Sequence, residues 1–154
     1  MPYHLAQVNV ARLLAPLDSP QLEGFVAALD DVNTDAEEAK GFVWRLKGDD
    51  GNATSIVAFE WDVAGSKGII VNMSVWETLE DLRRWVYDDA HRTVLRQRRR
   101  WFEVMTESSL ALWWIPQGHV PTTEEAEEKV RELRANGPSQ SVFDFRYSFS
   151  SLQS

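Results

Sequence analysis

The sequence predicts a single α+β domain of ferredoxin-like type, a β-α-β-β-α-β succession forming an antiparallel sheet with helices on one face. Three observations carry this. Residues 3–13, YHLAQVNVARL, alternate apolar and polar as a half-buried strand does; two later stretches space their apolar residues helically; and Gly- and Pro-bearing turns set off further short strand-like runs. With 154 residues and 44% hydrophobic content, the chain has the size and apolar mass of one domain, taken as residues 1–150.

In the first strand His4, Ala6, Val8 and Val10 share one face, and Leu5, Gln7 and Asn9 the other. LDSPQLEGFVAALDDV then offers Ser19 as N-cap, Pro20 in the first turn, and Leu22, Phe25, Val26, Leu29 and Val32 at helical spacing. Thr34 and Glu37 are spaced as a capping box, predicting a short second helical turn that Gly41 ends. FVWRLK at 42–47 reads as a strand, Asp50-Gly51 as a hairpin turn, and SIVAFEW as the returning segment. IIVNMSVWET, 69–78, is a strand with Val71, Met73 and Val75 on one side and Asn72, Ser74 and Trp76 on the other.

From Thr78 to Met105 the helical period falters at Asp88-Asp89, which predicts a kinked or two-part helix. LALWWIPQG is a strand; Thr122 and Glu125 form a capping box opening a helix that Gly137-Pro138 stops; FDFRYSF is a last strand. The C-terminal helix and strand are additions to the six-element core.

Composition excludes several function classes. There is no cysteine, hence no disulfide framework, thiolate metal site or cysteine nucleophile, and a reducing, cytoplasmic setting is expected. No apolar run approaches a membrane span and no leader pattern opens the chain, so a soluble protein is expected and the Asn52-Ala-Thr and Asn72-Met-Ser sequons read as chance matches. A net charge of -8 opposes binding to nucleic acid or anionic membranes. Arg92, Arg96, Arg98, Arg99 and Arg100 read as a solvated helix face paired with nearby acids, with a patch that meets an anionic ligand or partner as the alternative.

If Val71, Met73 and Val75 lie under the helices, Asn72, Ser74 and Trp76 point from an uncovered face, joined according to register by Trp44 or Arg45 and by Trp113 or Trp114. Seven tryptophans make a bare aromatic face implausible. Two such sheets packed face to face would close a barrel, so a homodimer around a small-molecule cavity is expected.

These landmarks resemble a known superfamily, the dimeric α+β barrels. NMSVWE, with Asn72 and Trp76 four apart on a strand that runs into a helix, is similar to the motif of its antibiotic-biosynthesis monooxygenase branch. The resemblance implies a pocket where a polycyclic phenol or related molecule reacts with oxygen without metal or flavin. YHLAQVNVAR, GFVWRL, VNMSVWET, AHRTVLRQRRRWF and LWWIPQGHVPT more closely resemble an uncharacterised family, domain of unknown function 3291, over residues 3 to about 147.

Candidate site residues follow from both readings. Asn72 would donate a hydrogen bond to an enolate or peroxide oxygen, with Trp76 as an aromatic wall and Ser74 beside it. His91 and Tyr87, four apart on one helix face, are candidates for proton transfer. Trp44, Arg45, Trp114, His4 and His119 complete the candidate substrate-binding set. No metal is expected: no HExxH is present and the three histidines lack short ligand spacing. No cofactor is expected either, with haem held by one histidine as the alternative that the superfamily implies. The leading expectation is an enzyme performing cofactor-independent oxygenation or isomerisation; the other alternative is a non-catalytic small-ligand binding or stress-associated module.

Overall fold

In the computed structural model, which describes residues 3–47, 57–88, 92 and 96–151, the alternating N-terminal stretch becomes strand β1, Tyr3–Arg12. It is followed by helix α1 (Glu23–Glu38), β2 (Phe42–Arg45), β3 (Ile69–Trp76), α2 (Leu79–Val86), the single turn α3 (Arg98–Trp101), β4 (Leu110–Pro116) and α4 (Thr123–Asn136). The strands form one sheet in the order β2-β3-β1-β4, with every neighbouring pair antiparallel. This is the ferredoxin-like α+β arrangement the element order predicts, with a C-terminal helix added.

Local chemistry sets the element ends. Thr78 and Thr122 cap α2 and α4, each accepting from the backbone N–H three residues on, at 3.0 Å and 3.1 Å. Ser19 sits in extended backbone ahead of a 3₁₀ turn at Pro20–Leu22, but its hydroxyl donates back to the Pro16 carbonyl rather than capping. The helix that follows runs unbroken to Glu38, so the second turn predicted at Thr34 is part of α1. Gly41 (φ +85°) then turns the chain into β2, and a Cβ at that position would collide with the Asp81 carboxylate.

The structure corrects other expectations. The Asp50-Gly51 hairpin signal and the start of SIVAFEW lie outside the described residues; among those described, β2 pairs with β3, and Val57–Phe59 is irregular and leads into a 3₁₀ turn, Glu60–Asp62. The predicted last strand is a single bridge between Phe143 and Leu112. Its continuation is prevented by Asp144, whose carboxylate accepts from the backbone N–H groups of Arg146 and Tyr147 and turns the chain away.

The two sheet faces are both covered, and in the opposite sense to the expectation. Val71, Met73 and Val75, with Ala6, Val8, Val10 and Trp113, pack under α4 through Ala126, Val130 and Leu133 and under the Ala58-Phe59 segment. Val130 and Leu133 each contribute roughly 1.5–3 kcal/mol by burial. Asn72, Ser74 and Trp76 instead point to the side of α1 and α2, where Trp76 packs with Leu5, Ala36, Leu82 and Trp85. Helices therefore lie on both faces. The face expected to be bare, that of Asn72, Ser74 and Trp76, lies against α1 and α2, and the opposite face is covered by α4 of the same chain.

At the α4 end, Arg12 continues the Val8-Val10 face of β1 and meets Asp62 at 2.6 Å. Arg134 on α4 grips the same carboxylate with two bonds, at 2.7 Å and 2.9 Å, and Arg12 reaches Glu107 at 3.0 Å. Trp61 donates to Glu127 at 2.5 Å beneath the Arg131 guanidinium, 4.3 Å from its ring centroid. These contacts lock α4 and the 57–62 segment onto β1. No helix of the described residues is long and apolar enough to cross a membrane.

Candidate functional site

A cavity of about 320 Å³ opens between the sheet and helices α1 and α2. Its floor is the inner face of β1 and β3: Gln7, Asn9 and Asn72. Its roof is apolar and comes from α1 (Phe25, Leu29, Val32) and α2 (Leu82, Trp85, Val86), and Phe102 and Phe145 add to the lining. This is the size and composition of a small-molecule pocket, apolar walls with a few convergent polar groups. Asn9 and Asn72 stay solvent-accessible although they face inward, so the cavity is open.

Register builds the polar floor. Gln7 lies opposite Ser74 and Asn9 opposite Asn72 across the β1–β3 ladder. The Gln7 side-chain amide donates to Asn72 Oδ1 at 2.8 Å and to Ser74 Oγ at 2.7 Å. Ser74 Oγ also accepts from the Trp76 indole N–H at 2.8 Å. Trp76 itself is fully buried, stacked on Trp85 with centroids 5.4 Å apart and edge-on to Phe42 at 5.6 Å. Trp85 is held in turn by donation to Asp35 at 3.0 Å. The indole, the hydroxyl and the two amides thus form one chain of hydrogen bonds running from the core to the cavity floor.

The predicted candidates separate on this geometry. Asn72 and Arg45 line the cavity; Arg45 pairs with Glu37 at 2.8 Å and is the one ionisable side chain among the described residues that line it. Ser74 and Trp76 stand behind the floor rather than on it. Tyr87 is 55% exposed, in a surface groove with Lys40, Asp81, Arg84 and Asp88 that shares only Trp85 with the cavity. Trp44 packs with the α4-side core. His4 has the strand parity of that same face, opposite Ile115. Trp114 shares the inner face but donates to the Phe149 carbonyl at 2.8 Å, outside the cavity lining. His119 is exposed and pairs through Nε2 with Glu125 at 2.7 Å, a carboxylate that also receives the Trp113 indole N–H at 2.7 Å. His91 lies outside the described residues.

Gln7, Asn9 and Trp85 were missed as site residues. Gln7 and Asn9 carry a sequence signal, two carboxamides at alternate positions of one strand, but only the pairing with β3 shows that they meet Ser74 and Asn72.

The displaced titrations sit away from the cavity, on the α4 side. Burial pushes the Asp62 carboxyl up, but hydrogen bonds from Arg134 and Arg12 outweigh it and leave the pKa below the ordinary carboxylate range. Glu107 is pulled down from 4.5 to about 2, chiefly by its hydrogen bond from Arg12. Arg12 is raised in turn, foremost by that same bond.

Fold and cavity define a ferredoxin-like α+β protein with a ligand-sized pocket between sheet and helices. The chain belongs to the family described as domain of unknown function (DUF3291), whose model matches residues 4–154. Among solved structures, that of Rv0793 from Mycobacterium tuberculosis is similar over 79% of this chain and 100% of its own, at 11% sequence identity and a TM-score of 0.43. No curated protein matches the chain.

Proposed function

We propose that this protein binds a small, flat, largely apolar molecule, aromatic or polyketide-like, in the cavity between the sheet and helices α1 and α2. The observation that carries this reading is the 320 Å³ apolar chamber whose polar groups converge on one floor, Gln7, Asn9 and Asn72. A flat ligand lies against Trp85 and the aliphatic side chains of α1, with its oxygen toward Asn72.

Binding is the primary function on this reading, because the described lining residues hold no carboxylate, histidine or tyrosine to take a proton. Catalysis is a second reading, favoured by Asn72 and by the likeness of NMSVWE to the antibiotic-biosynthesis monooxygenase motif. In a cofactor-independent oxygenation or isomerisation, the Asn72 side-chain amide would stabilise the oxygen on which negative charge develops, and His91 would be the candidate base.

Titration with the flat tricyclic ketone fluorenone, followed by quenching of tryptophan fluorescence, tests the site. Val32→Trp, which fills the chamber from α1, is expected to abolish binding; undiminished affinity in that variant places the ligand elsewhere. Asn72→Ala is expected to weaken binding about five- to tenfold, the worth of one neutral hydrogen bond. Because Asn72 is exposed, water can take over the Gln7 N–H that its oxygen accepts, and stability should fall by about 1 kcal/mol. A larger stability loss with unchanged affinity would make Asn72 a structural residue.

A further inference from the structure

We infer that Gln7 fixes which way the Asn72 amide faces the cavity, and thereby selects ligands that present a hydrogen-bond acceptor, a carbonyl or an oxyanion, to the β3 floor. The inference deepens the ligand-binding reading above and rests on it.

An asparagine amide has an acceptor end and a donor end of nearly the same shape, so something outside the residue must decide which end meets a ligand. Here the decision is made from behind. Both protons of the Gln7 side-chain NH₂ are committed, one to Asn72 Oδ1 at 2.8 Å and one to Ser74 Oγ at 2.7 Å. Ser74 is anchored by the Trp76 indole N–H, a group that can only donate, carried by a side chain with no exposed surface. Gln7 itself is only 4% exposed, so its amide is held in a nearly sealed position.

Asn72 Oδ1 is therefore occupied on the inner side. Its Nδ2 has no hydrogen-bond partner among the described residues, while the residue is open to the cavity. An apolar ligand covering that NH₂ would strip its water and leave it unpaired; a ligand oxygen would pair with it. A ligand N–H placed there would meet another donor.

Three nearly isosteric flat probes separate these cases: fluorenone, which accepts; carbazole, which donates; and fluorene, which does neither. The full chain is expected to bind fluorenone at least about fivefold more tightly than fluorene, the equivalent of one neutral hydrogen bond, and carbazole no better than fluorene. Gln7→Met keeps side-chain length but frees Asn72 to turn either way. In that variant carbazole should gain on fluorene until carbazole and fluorenone bind within about twofold of each other.

Should Gln7→Met fail to fold, the wild-type protein still decides: nitrogen–proton correlation spectra should show the Asn72 side-chain NH₂ protons moving downfield with fluorenone and not with carbazole. Equal binding of all three probes, or tighter binding of carbazole, overturns the inference and leaves the cavity reading intact. Binding of none of the three overturns both.

Discussion

Replacing Asp62 with alanine is expected to lower the stability of the protein by about 3–5 kcal/mol, the range for removing one partner of a buried ion pair. Asp62 is 4% exposed and holds two guanidinium groups at once: Arg12 from β1, whose side chain is 8% exposed, and Arg134 from α4. Without the carboxylate, two largely desolvated cations face each other. Arg12 retains Glu107, but that partner is 37% exposed and cannot neutralise both. Chemical denaturation should show the midpoint falling with little change in slope. Glu107→Gln, removing a solvent-screened charge, should cost less than ~1 kcal/mol. If Asp62→Ala also costs under ~1 kcal/mol, the triad is not what holds α4 to the sheet.

The same cluster gives the acid limit a direction. Both carboxyls titrate lower in the folded chain than in the unfolded one, so the unfolded state binds protons first as pH falls. Their contribution is fully present above the ordinary carboxylate pKa and is lost as pH drops through the folded values. For Glu107 that window runs from 4.5 down to about 2. Melting temperature should decline across it, and the decline should be shallower in Glu107→Gln. A melting temperature flat over that range would contradict the pairing.

Much of the fold was legible because it depends on near neighbours. The alternation of β1, the Thr122 cap of α4 and the apolar spacing of α2 are local properties, and each element appears where the pattern puts it. What strand periodicity gives is two faces, without saying what covers each. Val71, Met73 and Val75 form the more apolar set, which favoured placing them under α1 and α2, yet α4, which follows both α2 and β4 in the chain, covers them. The cavity is legible only in part for the same reason. Asn72 was identifiable from its motif, but Gln7 becomes a site residue only through a bond spanning 65 positions, and Asp62 becomes a lock only through Arg12 and Arg134, 50 and 72 positions away. His4 and His119 were marked by residue type and by the family-like blocks that hold them; the structure places His4 in β1 and pairs His119 with Glu125 in the first turn of α4.

Trp76→Ala is the sharpest test of the difference between a cavity wall and a core residue on the same strand. The side chain has no exposed surface, is stacked against Trp85, edge-on to Phe42, and hydrogen-bonded to Ser74. Truncation removes those contacts and leaves a hole that the sheet cannot collapse to fill, so a loss of about 3–5 kcal/mol is expected. Trp76→Phe keeps most of the ring volume and removes the N–H. Ser74 still accepts from Gln7, so that variant should lose only about 1 kcal/mol of hydrogen bonding together with a modest packing defect. Urea denaturation of the two variants measures both quantities. A tryptophan forming the open wall of a ligand site would behave differently: alanine would leave stability nearly unchanged and lower affinity alone. The structure gives Trp76 the first pattern; for Asn72, four residues earlier on the same face, exposed and lining the cavity, the proposed function predicts the second. On the binding proposed above, one motif carries two tasks, with its tryptophan fixing the inner layer of the sheet and its asparagine, on the cavity floor, meeting the ligand.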